Sequence, residues 1–279
     1  MHFPRFWIRT VVDGITAWGW SDSSEAEAQS QADARLQRIR AWVAEERDEP
    51  LGRYGYPDRP FREPVLREFR AADGQLAAAV SRNSYGCLVL NTANLMFVDV
   101  DDNEPPPSGG SFLAKLFGGG KRADAAPVET RVRKAVEDWL KSKPDWNWRL
   151  YRTRAGFRLV AAHALVSPEA PDTQTAFETF GADKLYRALC KTQACFRARL
   201  TPKPWRCEAG NPRHRWPFAD AGAEAAFQEW DRGYLRKAGG FATCELLGHF
   251  GNPNLHPALR ELVEFHDATT RATTKLPLA

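Results

Sequence analysis

Asp99 and Asp101 close the apolar run in "NLMFVDVDDNE", residues 94 to 104. On a β-strand residues i and i+2 face one side, so the two carboxylates point together while Val98 and Val100 enter the opposite layer. Like charges held side by side repel unless a cation neutralises them. Hard oxygen ligands of this kind favour Mg²⁺ or Mn²⁺, which keep several waters and take substrate phosphates as their remaining ligands. The plainer alternative is an acidic turn after a strand, where Asp and Asn are common.

Two basic stretches offer anion chemistry. In "YRTRAGFRLV" (151–160) a tight glycine turn lets backbone N–H groups approach an oxyanion, with Gly156 at the turn and Thr153, Arg154 and Arg158 as donors around it. A basic hairpin tip in solvent is the competing reading. In "FRARLTPKPWR" (196–206) Arg197 and Arg199 share a strand face, and Thr201, Lys203 and Arg206 follow on a proline-stiffened turn. Ion pairs with distant acids are the alternative there. Arg82 and Asn83 of "RNSYG" lie near the Asp strand in sequence and either reach the site or start a hairpin. Cys190, Cys195, Cys207 and His214 would suit a zinc ion by type, but their spacing matches no common finger pattern, and a free cysteine is usually a small buried hydrophobe.

The elements that must position these groups read as α+β: antiparallel or mixed sheets built from hairpins and flanked by helices. Asp13-Gly14 marks an opening hairpin, because a type I′ turn needs positive φ at both central residues. Asp22 and Glu25 form a capping-box pattern ahead of a helix carrying Leu36, Ile39, Trp42 and Val43 to about Glu46. Residues 50–64 read as an ordered connection packing through Tyr54, Tyr56 and Phe61, with Arg59 and Arg62 able to face a ligand. Hairpins are expected around Asp73-Gly74 and around Asn91 to Asn94, which would put the acids at the end of a central strand. Residues 103–127 have the Pro and Gly composition of a flexible insert, and its "GGGKR" lacks the spacing and the Ser or Thr of a phosphate-binding P-loop. A helix over about 128–143, a strand pair around Arg154-Ala155-Gly156, a helix over 173–195 and a strand at 196–200 follow. The tail reads as mostly helical, with Pro257 in a first turn. These divide the chain into an N-terminal module at 1–84, a catalytic module at 85–218 and a helical C-terminal region at 219–279.

The chain has 279 residues, 43% of them apolar, with 10 Trp and 16 Phe, enough for a sizeable core. Its net charge of +4 is uneven: from Asn147 to Trp216 there are 13 Lys and Arg against 5 Asp and Glu, so the remainder is net acidic. Basic charge gathers where an anionic partner would be gripped. A signal-peptide pattern and a run of roughly 20 apolar residues are both missing from the sequence, so no membrane partner and a cytoplasmic location are expected. Five scattered cysteines do not make a disulfide framework.

In chain order these pieces resemble the catalytic core of the archaeo-eukaryotic primase superfamily, which includes primase-polymerases. "FVDVDD" is similar to the family's Asp-x-Asp strand end through Asp99 and Asp101. "RTRAGFR" looks like its Ser-Gly-x-x-Gly-x-His turn through Thr153 and Gly156, with Arg158 where the His belongs. Asp183 stands in the order of the third Asp, and "RARLTPKP" is similar to the last basic segment through Thr201 and Lys203. The resemblance covers about residues 85 to 206. It implies a primase-like, RRM-like module in which Asp99, Asp101 and Asp183 hold two metals as the catalytic groups. Arg158, Arg197, Arg199 and Lys203 would grip a nucleoside triphosphate, while a basic aromatic surface including Trp205, Arg213, Arg215 and Trp216 would hold a single-stranded or primed nucleic acid. Rival readings are an Asp-x-Asp phosphohydrolase with Asp99 as nucleophile, a Mn²⁺-binding glycosyltransferase, and a non-catalytic nucleic-acid-binding module.

Overall fold

The structure is a computed structural model and describes residues 1–44, 60–102 and 127–279. Tyr54, Tyr56, Arg59 and all but the last residue of the expected 103–127 insert lie outside the described residues. In chain order the elements are β1 (Phe6–Val12), β2 (Ile15–Ser21), α1 (Glu25–Ala44), β3 (Val65–Arg70), β4 (Leu76–Arg82), β5 (Leu88–Thr92) and β6 (Met96–Asp101). Then come α2 (Val128–Ser142), β7 (Asn147–Thr153), β8 (Gly156–Ala161), α3 (Pro171–Phe180), α4 (Lys184–Thr192), β9 (Phe196–Arg199), α5 (Ala221–Ala238), β10 (Cys244–Gly251) and α6 (Arg260–Thr270). The class is α+β, and every described strand pairing is antiparallel.

The chain divides into two compact units, one of residues 1–93 and 188–241, the other of 94–187 and 242–279. They interleave along the chain, unlike the consecutive blocks 1–84, 85–218 and 219–279, because strands remote in sequence complete each sheet. β9 pairs with β5 in the first unit, and β10 pairs with β7 in the second.

In the first unit Asp13-Gly14 turns the β1–β2 hairpin with φ of 51° and 77°. Gly19 lets β2 press on α1: a Cβ there would sit 1.8 Å from the Ala28 carbonyl oxygen. The matching stripe on α1 is Ala28, Ala32 and Leu36. The helix is capped two residues later than expected, since the Ser24 hydroxyl accepts from the Glu27 amide, while Asp22 pairs with His2. The second sheet runs β3-β4-β5-β9.

The second unit holds the sheet β10-β7-β8-β6. Its core includes the cluster of Trp139, Trp146, Trp148 and Phe180, joining α2, β7 and α3. Two expectations fail here. The Asn91–Asn94 segment does not close a hairpin: β5 and β6 belong to different sheets, and Asn91 is a buried strand residue whose amide donates to Ala79 O, Val89 O and Ser81 Oγ. β6 is therefore at the edge of its described sheet, not its centre. Within the mostly helical tail "CELLGHFG" forms the strand β10. The helix expected over 173–195 is broken at Gly181, which takes the left-handed conformation that ends α3. No described helix is long and apolar enough to cross a membrane.

Candidate functional site

At the exposed end of β6, Asp99 and Asp101 lie on one side of the strand, about 7 Å apart by strand rise. Asp101 is exposed, opposite Gly156 across the ladder, and Asp99 lies opposite Arg158. The β7–β8 turn closes directly on this strand end, with the Asp102 amide donating to Ala155 O at 2.9 Å and Arg152 pairing with Asp102 at 2.8 Å. Gly156 is required by this approach, since a Cβ there would come within 2.0 Å of the Val100 carbonyl oxygen and 3.0 Å of Asp101 Cα. Gly156→Ala must push two backbones apart, and a loss of about 2 kcal/mol or more is expected from such overpacking. Urea unfolding midpoints would show it, and an unchanged midpoint would mean the turn is not held so tightly.

Arg158 does not point outward to a phosphate. It is buried to 2% exposure and makes two bonds to Asp99, Nε to Oδ1 at 2.7 Å and a terminal nitrogen to Oδ2 at 3.0 Å, while the Asp99 side chain keeps 46% exposure. Behind it runs a chain of polar groups that sequence reasoning missed. Another Arg158 nitrogen lies 3.3 Å from His266 Nε2, His266 Nδ1 lies 3.0 Å from Asp267 Oδ1, and Asp267 also receives the Tyr151 hydroxyl at 2.7 Å and Arg149. The signal for it was Arg158, a lone charge in the otherwise apolar β8 strand.

Burial works against the charge on Arg158, and the facing Asp99 carboxylate outweighs it, so the guanidinium pKa is raised. Burial also raises Tyr151. For Asp267, burial alone would push the pKa up, but bonds from His266 and Tyr151 and the Arg149 charge leave it lowered. His266 is lowered, first by burial and then by Arg158 and Arg149, against the pull of Asp267. The hydrogen bonds fit a neutral ring with its proton on Nδ1 toward Asp267 and the Nε2 lone pair toward Arg158.

A histidine depressed in the folded state binds protons more readily when unfolded. Its contribution to stability is full above its unfolded pKa of about 6.5 and is lost as pH falls from there through the folded value. The melting temperature of the wild type is expected to fall between pH 7 and 5, and His266→Gln to flatten that slope. Equal slopes in both proteins would remove His266 as the cause.

The remaining expected donors lie in the first unit, and most are engaged there. Arg197 makes two 2.7 Å bonds to Glu63, and its guanidinium stacks 4.5 Å from the Phe61 ring centre. Thr201 is buried, its hydroxyl accepting from the Leu88 amide and from the Tyr234 hydroxyl at 2.7 Å, so it is not placed to bind phosphate. Tyr234→Phe is expected to cost about 1 kcal/mol through those lost bonds, read from the urea midpoint, with no loss telling against the contact. Arg82 is buried against Asp231 and Gly86 O, and Asn83 Oδ1 accepts from the Tyr85 and Cys87 amides, so both build the β4–β5 turn, the hairpin alternative of the two read from the sequence. Arg199 is half-buried on β9, and Lys203 lies over the Trp205 ring.

No family model, curated protein or solved structure matches this chain. The metal question therefore rests on the donors themselves. Asp183 starts α4 and accepts from the Tyr186 amide at 2.9 Å, an ordinary helix cap. Among the described residues no group of three or more His, Cys, Asp or Glu side chains is disposed to hold a metal ion. Cys190, Cys195 and Cys207 are buried, and burial pushes the Cys195 thiol up to about 11 and raises Cys207. What remains for a hard cation is the Asp99 and Asp101 pair.

Proposed function

We propose that this chain is a metal-dependent nucleotidyltransferase of primase-polymerase type, acting on nucleoside triphosphates and a single-stranded or primed nucleic acid. One observation carries the reading: two carboxylates share the exposed end of β6, and a glycine turn is packed against the same stretch of backbone. One or two carboxylates plus substrate phosphates suffice for Mg²⁺, and the Asp99 side chain stays half-exposed beside Asp101. Asp99 and Asp101 would hold the ion, whose chemistry there is to activate a 3′-hydroxyl and stabilise departing pyrophosphate. Arg158 orients Asp99 from beneath, and Gly156 keeps the turn low enough to leave the carboxylates uncovered.

The strand arrangement lends partial support to a primase-like module. β6, α2, β7 and β8 form a split unit with β8 between two parallel strands. The closing strand β10 lies beside β7, whereas an RRM-like sheet closes beside its first strand. A non-catalytic nucleic-acid-binding module is the second reading, favoured by the Arg158–Asp99 pair, which already neutralises one carboxylate.

Incorporation of labelled nucleotide on a primed single-stranded template, with Mg²⁺ or Mn²⁺, tests the choice. Extension supports the transferase. Phosphate release alone indicates a hydrolase, and salt-sensitive strand binding without turnover indicates the module.

A further inference from the structure

The first unit contains a cavity of about 330 Å³ whose walls include Trp18, Trp20, Phe61 and Gln193. Strand alternation explains it. Ala17 and Gly19 of β2 are buried, with Gly19 against α1, so Trp18 and Trp20 emerge on the other face, and Trp7 joins them as the ladder partner of Trp20. The volume falls at the lower end of the range for small-molecule sites. Gln193 has its Oε1 buried without a hydrogen-bond partner among the described residues, an acceptor awaiting a donor.

The charge at the rim decides the class of ligand. An aromatic box with a carboxylate would suit a quaternary ammonium ion. Here the one carboxylate among the described lining residues, Glu63, is already bound by Arg197, and the Arg62 guanidinium lies 4.2 Å from the Trp18 ring centre. A second recess, of about 70 Å³, shares Arg62 and Ser84 with the first and adds Arg215 and Trp216. Arg215 is exposed and makes no ion pair with a described residue. Flat apolar faces, an unsatisfied acceptor and cationic groups alongside match a nucleobase with an attached phosphate.

We infer that the first unit carries a nucleotide site of its own, in which a base packs against Trp18 and Trp20, donates an amine hydrogen to Gln193 Oε1, and sets its phosphate toward Arg62 and Arg215. The inference goes beyond the transferase reading and stands if that reading fails. The ligand is either a free nucleotide or an unpaired nucleotide of a strand, and the test separates these sources.

Binding of a fluorescein-labelled oligodeoxyadenylate and of free ATP would be measured on the full chain and on Trp18→Ala, Trp18→Phe, Gln193→Ala and Arg215→Glu, with near-ultraviolet circular dichroism to confirm folding. Loss of one stacking partner should weaken binding about 5- to 100-fold, and Trp18→Phe should recover most of it. Arg215→Glu should also lower the salt dependence by about 0.7 in log–log slope for each strand phosphate it contacted. Weakening confined to the oligonucleotide identifies a strand site, and weakening of ATP identifies a free-nucleotide site. If Trp18→Ala does not fold, the exposed Arg215→Glu and Gln193→Ala carry the test. Unchanged affinity for both probes in folded variants overturns the inference, as does a cavity that takes tetramethylammonium and neither probe. Asp101→Ala run alongside keeps the two proposals apart, since it should leave this binding intact.

Discussion

On the proposed transferase reading, Asp101→Ala is expected to abolish templated nucleotide addition while leaving strand binding within about twofold and stability within about 0.5 kcal/mol. The carboxylate is exposed, ends its strand and makes no ion pair with a described residue, so its removal leaves no buried group behind. It is the cleaner of the two acids to test. Primer extension with Mn²⁺ and Mg²⁺, at matched strand occupancy, gives the readout. Retained extension would remove Asp101 from the metal site and with it the transferase reading.

Asp99→Ala mixes two effects, and the second large prediction follows from separating them. Asp99 retains nearly half its exposure, but its partner Arg158 is almost fully buried. Deleting the carboxylate strands a guanidinium away from water, a change that typically costs about 3–5 kcal/mol. Deleting the guanidinium instead leaves an acid that water can reach. Arg158→Met, which also preserves much of the volume, is thus expected to cost far less than Asp99→Ala, with a residual loss of about 1 kcal/mol from the contact to His266. In the double variant Arg158→Met should rescue most of the stability lost in Asp99→Ala. Urea titrations of all four proteins complete the cycle, and additive losses would show that the pair contributes no coupling.

The legible parts of this chain were those written locally. Asp13-Gly14 and the Arg154-Ala155 turn are fixed by backbone chemistry within a few residues, and Val132, Val136 and Trp139 declare the buried face of α2. The Asp99–Asp101 spacing put both acids on one strand face for the same reason. What failed depended on partners remote in sequence. Asn91 carries the side chain of a turn former, yet its amide bonds the neighbouring strand, and nothing in "LNTANL" distinguishes the two uses. Arg158, Arg197 and Thr201 read as donors for phosphate because Asp99, Glu63 and Tyr234, which claim them, stand 59, 134 and 33 residues away. His266 and Asp267 gave no periodic signal, since they matter through one helix laid against a sheet of distant strands.

The interleaving of the two units bears on biosynthesis. The β3-β4-β5-β9 sheet lacks its fourth strand until Phe196–Arg199 has been made, and the β10-β7-β8-β6 sheet lacks β10 until Cys244–Gly251 has emerged. Arg158 acquires its His266 neighbour later still. A nascent chain on the ribosome therefore carries open sheet edges through most of translation, and such edges invite mispairing. Demand for chaperone protection during synthesis should be high for a protein of this length.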